Sequence, residues 1–316
     1  MGESYARYEI TSMKGKISKL SPDLLKTMSN SASKVFLDQN LFADLAGRVP
    51  NAGQYLSKIK ASIEKGKLII VPSVELFDEL IPLSQSDEHQ FQARWRLIQE
   101  LVDWSYALKP ANDILIDDIL NFAKYEKQDN PFAASELNAF SAIKTLAGMK
   151  EPPSTNELQN LTLQLHQFKG NFTSLINRIG KNCYGKTKYP KDFTFAQYWQ
   201  ETLNCSDYRK SFPQLMLSDL ADKLAVGDIC RTKGLVNLLS LPTILLPIGY
   251  WTYSWFCQVT KGSKEKSSVA FDFRHCTLAG AVGCFVTSDK DLTDSIKEIP
   301  GHNVTVFSMP ELIHEL

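Results

Sequence analysis

The sequence lacks the patterns that mark secreted, disulfide-bonded or strongly charged proteins. Its six cysteines form no Cys-x-x-Cys pair and no metal-type spacing, and the N-terminal 20 residues contain no apolar signal core. The 35 basic and 35 acidic residues give a net charge of zero, so any nucleic-acid-binding surface has to be a local patch. These features predict a cytoplasmic protein with reduced cysteines.

Several catalytic motifs are also missing. The chain has neither a serine nucleophile elbow nor a convincing Cys–His pair. Residues 38–42 read Asp-Gln-Asn-Leu-Phe, which departs from the Asp-x-Asp-x-Thr motif of phosphohydrolases that use an aspartate nucleophile. A phosphohydrolase that acts on small phosphate compounds through such an aspartate is therefore disfavoured. No fixed repeat period is present, so a solenoid is not predicted.

One apolar stretch, residues 234–257, is nearly long enough to cross a bilayer. It is interrupted by Pro242 and Pro247 and contains several polar side chains. Proline removes a backbone donor from a helix interior, so we expect a buried pair of helices here and no membrane span.

The pattern of apolar residues indicates an α/β protein with a helical insertion. Short apolar runs bounded by turn residues predict buried strands. These runs cover residues 34–37, 67–71, 284–287 and 302–307. Between the second and third runs the periodicity is helical, as in Phe91, Trp95 and Ile98. We predict a lead-in at 1–33, a discontinuous α/β domain at 34–89 and 263–316, and an all-helical insertion at 90–262.

Acidic residues stand where a parallel sheet would bring them together. Asp38 ends the first predicted strand, and Asp289 follows the third. Asp272 precedes that third strand on a predicted helix and shares one helix face with His275 and Ala279. Ligands of open α/β sheets bind outside the carboxyl ends of the strands. A strand-end carboxylate and a helix carboxylate are therefore expected to converge on one site.

The helix predicted at 74–80 contains three further acids, Glu75, Asp78 and Glu79. Such a group is often a solvated face, although like charges on neighbouring helix positions destabilise the helix unless a cation is near. The sequence leaves open which of the three belongs to the site, and Glu79 is preferred for its position relative to Ser73.

The motif Asp272-x-x-His275-x-x-x-Ala279, followed by a strand and by Thr287-Ser-Asp289, resembles the C-terminal part of PIN-domain nucleases. The resemblance covers about residues 33–79 and 269–312, with the C-terminal part the more specific. It implies a three-layer fold in which a small parallel sheet lies between helices. It also implies metal-dependent cleavage of RNA, less often of DNA, at a site of four acids. By resemblance, the catalytic and metal-binding acids are Asp38, Glu79, Asp272 and Asp289.

Carboxylate ligands suit Mg²⁺ or Mn²⁺, which the resemblance also implies. A bound metal would keep the acids ionised and activate a water, so no nucleophilic side chain is needed. Five neighbouring residues are expected to orient the acids, waters or phosphate without binding the metal, and for His275 packing is preferred to ligation. They are Asn40, Glu75, His275, Thr287 and Asp291.

A basic and aromatic stretch at 169–199 is a candidate surface for single-stranded nucleic acid, because cations contact phosphates and rings stack on bases. The alternative is a solvated loop beside a core helix that contains Phe195, Tyr198 and Trp199. The candidate contact residues are Arg178, Lys181, Lys186, Lys188, Tyr189 and Lys191.

Taken together, the sequence predicts a Mg²⁺- or Mn²⁺-dependent endoribonuclease of PIN-like fold, with DNA as a possible substrate. The alternative is an inactive PIN-fold interaction module. A toxin-like or defence effector and an RNA-processing enzyme both fit the pattern. The large insertion is a candidate surface for a homodimer or another protein partner.

Overall fold

The structure is a computed structural model of the chain. It describes residues 32–133, 141–149, 151–153, 189–190, 192–204, 235–262 and 269–316, together with the single residues 163, 167, 170 and 174. The predicted lead-in, all but its last two residues, lies outside this part of the chain. Residues 263–268 lie outside it entirely.

Four parallel strands form one small sheet, which confirms the predicted mixed α/β class with a parallel sheet. The strands are β1 (Ser33–Leu37), β2 (Leu68–Ile70), β3 (Cys284–Val286) and β4 (Thr305–Phe307). Their order in the sheet is β2-β1-β3-β4. Leu37 pairs with Val286, and Val286 pairs in turn with Phe307. The three-layer arrangement specific to PIN domains stays a prediction.

Helices account for most of the remaining described residues. In chain order they are α1 (Gln39–Ala43), α2 (Ala52–Glu64), α3 (Glu75–Leu80), α4 (Leu83–Ser86), α5 (Glu88–Leu101), α6 (Ala111–Tyr125), α7 (Ser141–Gly148), α8 (Phe195–Asn204), α9 (Pro242–Lys261), α10 (Val269–Val282), α11 (Lys290–Glu298) and α12 (Met309–Glu315). A π-helical turn (Asp44–Arg48) follows α1, and two 3-10 turns (Trp104–Tyr106 and Leu235–Ser240) precede α6 and α9.

The strand β1 is central because its apolar run is buried along its length. Val35, Phe36 and Leu37 are all at most 2% exposed. A strand covered on both faces needs apolar side chains at successive positions, which is the pattern seen here. The ring of Phe36 stacks on that of Phe285 in β3, with centroids 5.7 Å apart. This contact fixes β1 and β3 side by side.

The order of the strands creates a topological switch point between β1 and β3. Strand β2, which follows β1 in the chain, lies next to β1 on one side within the sheet. Strand β3, which comes later in the chain, lies next to β1 on the other side. Connections that leave in opposite directions open a crevice at the carboxyl ends of the two strands. Asp38 and Thr287 are the first residues after β1 and β3, so both stand at that crevice.

Helices of the predicted insertion share the core of the sheet. Trp95 of α5 and Trp251 of α9 are each 1% exposed and belong to the same hydrophobic cluster as Phe36. A buried polar contact adds to this packing, since Thr243 of α9 donates to the Asp118 carboxylate of α6. The domain boundaries at 90 and 262 stay a prediction.

The apolar stretch at 234–257 differs from the expected pair of helices. It forms a 3-10 turn and then one continuous helix, α9, with Pro247 inside it. In the described part of the chain, no helix is long and apolar enough to cross a membrane. Helix α9 packs closely on α10: a Cβ at Gly280 would lie 2.5 Å from the backbone of Pro242. Only glycine allows this approach, which holds α10 in place beside the crevice.

Candidate metal centre

The first part of the candidate centre is Asp38, which leaves β1 directly into the crevice. Its backbone N–H donates to the carbonyl of Val286, 2.9 Å away. The side chain is 2% exposed and caps α1, where the N–H of Asn40 and the Nδ2 of Asn40 each lie 3.4 Å from a carboxylate oxygen. Asn40 thus helps to hold Asp38.

Thr287 connects the ends of the two central strands. Its hydroxyl donates to Asp38 Oδ2 over 2.6 Å and accepts from the N–H of Asp289 over 3.0 Å. The side chain of Thr287 is 1% exposed. Both hydroxyl functions are used, so Thr287 fixes the rotamer of Asp38 and the start of the loop before α11.

Helix α10 contributes two side chains from adjacent turns of one face. Asp272 is buried, and its Oδ2 accepts a 2.6 Å hydrogen bond from the hydroxyl of Tyr250 in α9. His275 is 1% exposed, and its ring packs 5.7 Å from the ring of Phe36. Its Nδ1 lies 3.8 Å from Asp38 Oδ1, and its Nε2 is buried without a hydrogen-bond partner among the described residues.

The three acids of α3 have three different surroundings. Glu75 accepts a 2.7 Å hydrogen bond from the N–H of Ala111 and so caps the start of α6. Asp78 forms an ion pair with Arg274 of α10. Glu79 is the acid of α3 that approaches Asp38 and His275.

Asp38, Glu79 and His275 together form a cluster with metal-ligand geometry. One potential ligand atom from each lies within 4.8 Å of the other two. Among the residues that the structure describes, no other group of three histidines, cysteines or acids meets this condition. The donor set contains two carboxylates and one imidazole, and it includes a buried nitrogen that has no partner within the described chain. These residues fit a divalent metal ion.

The buried charged groups of the cluster shift one another's pKa values. Burial raises the pKa of Glu79 from 4.5 to about 7, and the carboxylates of Asp38 and Asp272 add to this increase. For His275, burial by itself would lower the pKa, but Glu79, Asp38 and Asp272 outweigh burial and the pKa is raised. Burial also raises the pKa of Asp78 to about 7, although Arg274 acts in the opposite direction. Without a cation, the cluster holds protons near neutral pH.

Asp272 and Asp289 stand beside the cluster rather than within its 4.8 Å group. Asp289 caps α11 by accepting a 3.0 Å hydrogen bond from the N–H of Leu292. Burial and the Asp272 carboxylate raise the pKa of Tyr250, and Asp289 adds a smaller contribution. The Tyr250 hydroxyl is therefore near both acids. Asp291, in the first turn of α11, is exposed.

A cleft of about 490 Å³ opens beside Thr287. It lies between the π-helical turn, α2, α11 and α12 at the carboxyl ends of β3 and β4. Lys290 and Lys297 of α11 line it and are exposed, and Tyr55 is half-buried on the opposite element, α2. Of the three lining acids, Asp44 pairs with Arg48 and Glu311 accepts from the Ser308 N–H, while Asp294 is exposed.

Most of the predicted basic surface lies outside the described residues, namely Arg178, Lys181, Lys186, Lys188 and Lys191. Tyr189 is described: its ring stacks on Phe193 with centroids 4.8 Å apart and contacts Tyr198 edge-on. Phe195, Tyr198 and Trp199 are at most 3% exposed. These three rings belong to the core, as the alternative interpretation had it, and are not exposed for stacking on bases.

Two residues of the site have no motif that could have revealed them. Tyr250 lies in an apolar helix, where an aromatic residue normally indicates core packing. Arg274 stands between Asp272 and His275, but its partner Asp78 is 196 residues away in sequence. Long-range pairs of this kind cannot be found from local spacing.

No family model matches the chain, and no curated protein or solved structure matches it either.

Proposed function

We propose that this protein is a metal-dependent nuclease that hydrolyses phosphodiester bonds, with single-stranded RNA as its substrate and a PIN-like arrangement of acids as its active site. The observation that carries the proposal is the buried Asp38–Glu79–His275 cluster at the switch point between β1 and β3. The Asp272 carboxylate acts on Glu79 and His275, and Asp289 is joined to the cluster through Thr287, whose hydroxyl accepts from its N–H.

The cost of the cluster in the metal-free protein supports a metal-dependent role. A carboxylate whose pKa is raised by burial is destabilised in its charged form, by ~1.4 kcal/mol for each pKa unit. Glu79 is such a group, with a pKa of about 7. An interaction module has no need for this arrangement, whereas a divalent cation would neutralise Glu79 and Asp38 together.

In the proposed mechanism, Asp38 and Glu79 hold the metal, with His275 beside them. A bound divalent metal supplies an activated water and neutralises charge on the phosphate that is attacked. Thr287 keeps Asp38 in one orientation through its 2.6 Å hydrogen bond. Tyr250 does the same for Asp272. The side-chain oxygens of Asp272 and Asp289 can orient a water by accepting hydrogen bonds from it.

The cleft beside Thr287 suits a flanking nucleotide of the substrate strand. Lys290 and Lys297 lie seven residues apart on α11, which places them on one helix face. Such cations contact phosphates, and the ring of Tyr55 offers a stacking surface. The π-face of a base and the phosphate are common to RNA and DNA. These contacts therefore do not distinguish ribose from deoxyribose, and the experiment compares the two polymers.

The proposal is tested with end-labelled single-stranded RNA and DNA of equal sequence, each with Mn²⁺, Mg²⁺ or EDTA. We expect internal cuts in the RNA with either metal, weaker or no cutting of the DNA, and none with EDTA. Cutting that persists in EDTA would exclude the metal mechanism. If neither polymer is cut with any metal, the nuclease proposal is wrong and the interaction module takes its place.

A further inference from the structure

We infer that His275 is a nitrogen ligand of the metal centre, and that the centre therefore selects a divalent transition metal over Mg²⁺. The inference rests on the metal site of the proposed function, but it concerns binding alone and requires no substrate. It changes the role that the sequence suggested for His275, which was packing without ligation.

The position of His275 supports this role. It stands one turn after Asp272 on α10, and it is His275, not Asp272, whose ligand atom lies within 4.8 Å of those of Asp38 and Glu79. Asp272 instead has an oxygen engaged by the Tyr250 hydroxyl at 2.6 Å. The helix thus presents a nitrogen donor to the cluster where the four-acid pattern would present an oxygen.

The spacing within the cluster suits a shared ion better than direct hydrogen bonds. His275 Nδ1 is 3.8 Å from Asp38 Oδ1. That distance is too long for an N–H···O hydrogen bond, which has a donor–acceptor distance of ~2.7–3.2 Å. Nδ1 therefore makes no direct hydrogen bond to Asp38, although one ligand atom from each of Asp38, Glu79 and His275 lies within 4.8 Å of the other two.

The surroundings of the ring leave one nitrogen in need of a partner. His275 Nε2 is buried and has no hydrogen-bond partner within the described chain. Contact with the Phe36 ring restricts how far the imidazole can turn away from the crevice. Buried polar atoms in native proteins are nearly always satisfied. A metal ion would satisfy this nitrogen and the carboxylates of Asp38 and Glu79 together.

The donor set then determines the choice of metal. Mg²⁺ prefers oxygen ligands and retains its waters, whereas imidazole favours transition metals. One imidazole with two carboxylates should bind Mn²⁺ more tightly than Mg²⁺, and Zn²⁺ more tightly than Mn²⁺.

The test uses metal-stripped full-length protein and Mn²⁺ as a paramagnetic probe, without nucleic acid. We expect one bound Mn²⁺ whose electron spin-echo signal shows coupling to a ¹⁴N nucleus. Protein labelled with ¹⁵N-histidine should show the corresponding ¹⁵N coupling instead. His275→Gln should lose this coupling and bind Mn²⁺ at least about tenfold more weakly. Mg²⁺ should displace Mn²⁺ from the wild type only at large excess.

Two variants complete the test. His89 is exposed on α5, so His89→Gln should keep both the nitrogen coupling and the Mn²⁺ affinity. His275→Asp replaces nitrogen with oxygen and should shift the preference towards Mg²⁺.

Bound Mn²⁺ without histidine coupling in the wild type would overturn the inference and leave the nuclease proposal standing. Histidine coupling to bound Mn²⁺ in a protein that cuts no RNA would support the inference and overturn the nuclease proposal. Absence of any Mn²⁺ binding would overturn both. The isotope comparison needs only wild-type protein, so absence of histidine coupling overturns the inference even if His275→Gln does not fold.

Discussion

At the scale of single residues, the hydroxyl of Thr287 has a role that can be separated from its size. It donates to Asp38 and accepts from the Asp289 N–H. Thr287→Val keeps the shape of the side chain but removes the hydroxyl from the Asp38 carboxylate and the Asp289 N–H. Metal affinity should therefore fall about tenfold or more. Thr287→Ser retains the hydroxyl and should bind nearly as the wild type does. Calorimetric titration with Mn²⁺ measures both. Equal affinity for Thr287→Val and the wild type would contradict this account of Asp38.

The titration of Glu79 predicts how the stability of the metal-free protein depends on pH. Its pKa is about 7 in the folded state against 4.5 for the exposed group. Between these values the folded protein binds a proton that the unfolded chain releases, so the free energy of unfolding falls as pH rises. The raised pKa of His275 acts in the same direction, because the stability that it contributes at low pH is lost on deprotonation.

The measurement is urea unfolding of metal-free protein at pH 5 and pH 8. We expect lower stability at pH 8, with about 1–2 kcal/mol of the difference removed by Glu79→Gln. The exposed carboxylate of Glu64, at the end of α2, provides the control, and Glu64→Gln should keep the full difference. Saturating Mn²⁺ should restore stability at pH 8, since a ligand of the folded state stabilises it. An identical pH dependence in Glu79→Gln and the wild type would count against the buried cluster.

At the scale of elements, the site depends on how closely α9 and α10 approach. A Cβ at Gly280 would meet the Pro242 backbone at 2.5 Å, which no side-chain rotation can relieve. Gly280→Ala should therefore destabilise the protein by about 1–3 kcal/mol, as overpacking does. Gly53→Ala is the matched control, because that helical glycine has open space around it. Alanine there should stabilise by up to about 1 kcal/mol.

Thermal and urea unfolding of the two alanine variants, with and without Mn²⁺, measures this effect. A shift of α10 also displaces Asp272 and His275, so Gly280→Ala should weaken Mn²⁺ binding while Gly53→Ala does not. If Gly280→Ala is as stable as the wild type and binds metal equally well, the close contact is not what holds α10.

Elements with a strong local signal were predictable, and those that depend on distant contacts were not. The run around Val35 specified β1 because a strand buried on both faces needs unbroken apolar residues. Because the strands were predicted, Asp38 and Asp289 could be placed at the carboxyl ends of β1 and β3. Glu79 was preferred for its position relative to Ser73, but the roles of Glu75 and Asp78 were not predictable, because each is determined by a group far away in sequence. Helix α9 continues through Pro247, where burial overrides the local preference of proline.

At the scale of the whole molecule, the neutral net charge means that nucleic acid has to bind through a local group of cations. The cleft beside Thr287 offers Lys290 and Lys297. We expect the double variant Lys290→Ala, Lys297→Ala to weaken binding of single-stranded RNA. Each phosphate contact contributes about 0.7 to the slope of log K against log salt, so the slope should decrease by about 1.4.

Binding is measured by fluorescence anisotropy at several salt concentrations in an Asp38→Asn background, where cleavage is not expected. Lys58→Ala removes an exposed lysine of α2 that does not line the cleft, and it should leave the slope unchanged. An unaltered slope in the double variant would place the RNA elsewhere, with the stretch at 169–199 as the next candidate.

The central claim is that Asp38 and its neighbours perform a metal-dependent cleavage. The most direct test is the single-turnover cleavage rate of one labelled RNA with Mn²⁺, compared among wild type, Asp38→Asn and Glu64→Gln. We predict that Asp38→Asn loses at least about a thousandfold in rate, corresponding to ~4 kcal/mol in the barrier. Its circular dichroism spectrum should be native, and Glu64→Gln should cut as the wild type does. Cleavage by well-folded Asp38→Asn at the wild-type rate would contradict the account, because the cutting would then not come from this centre.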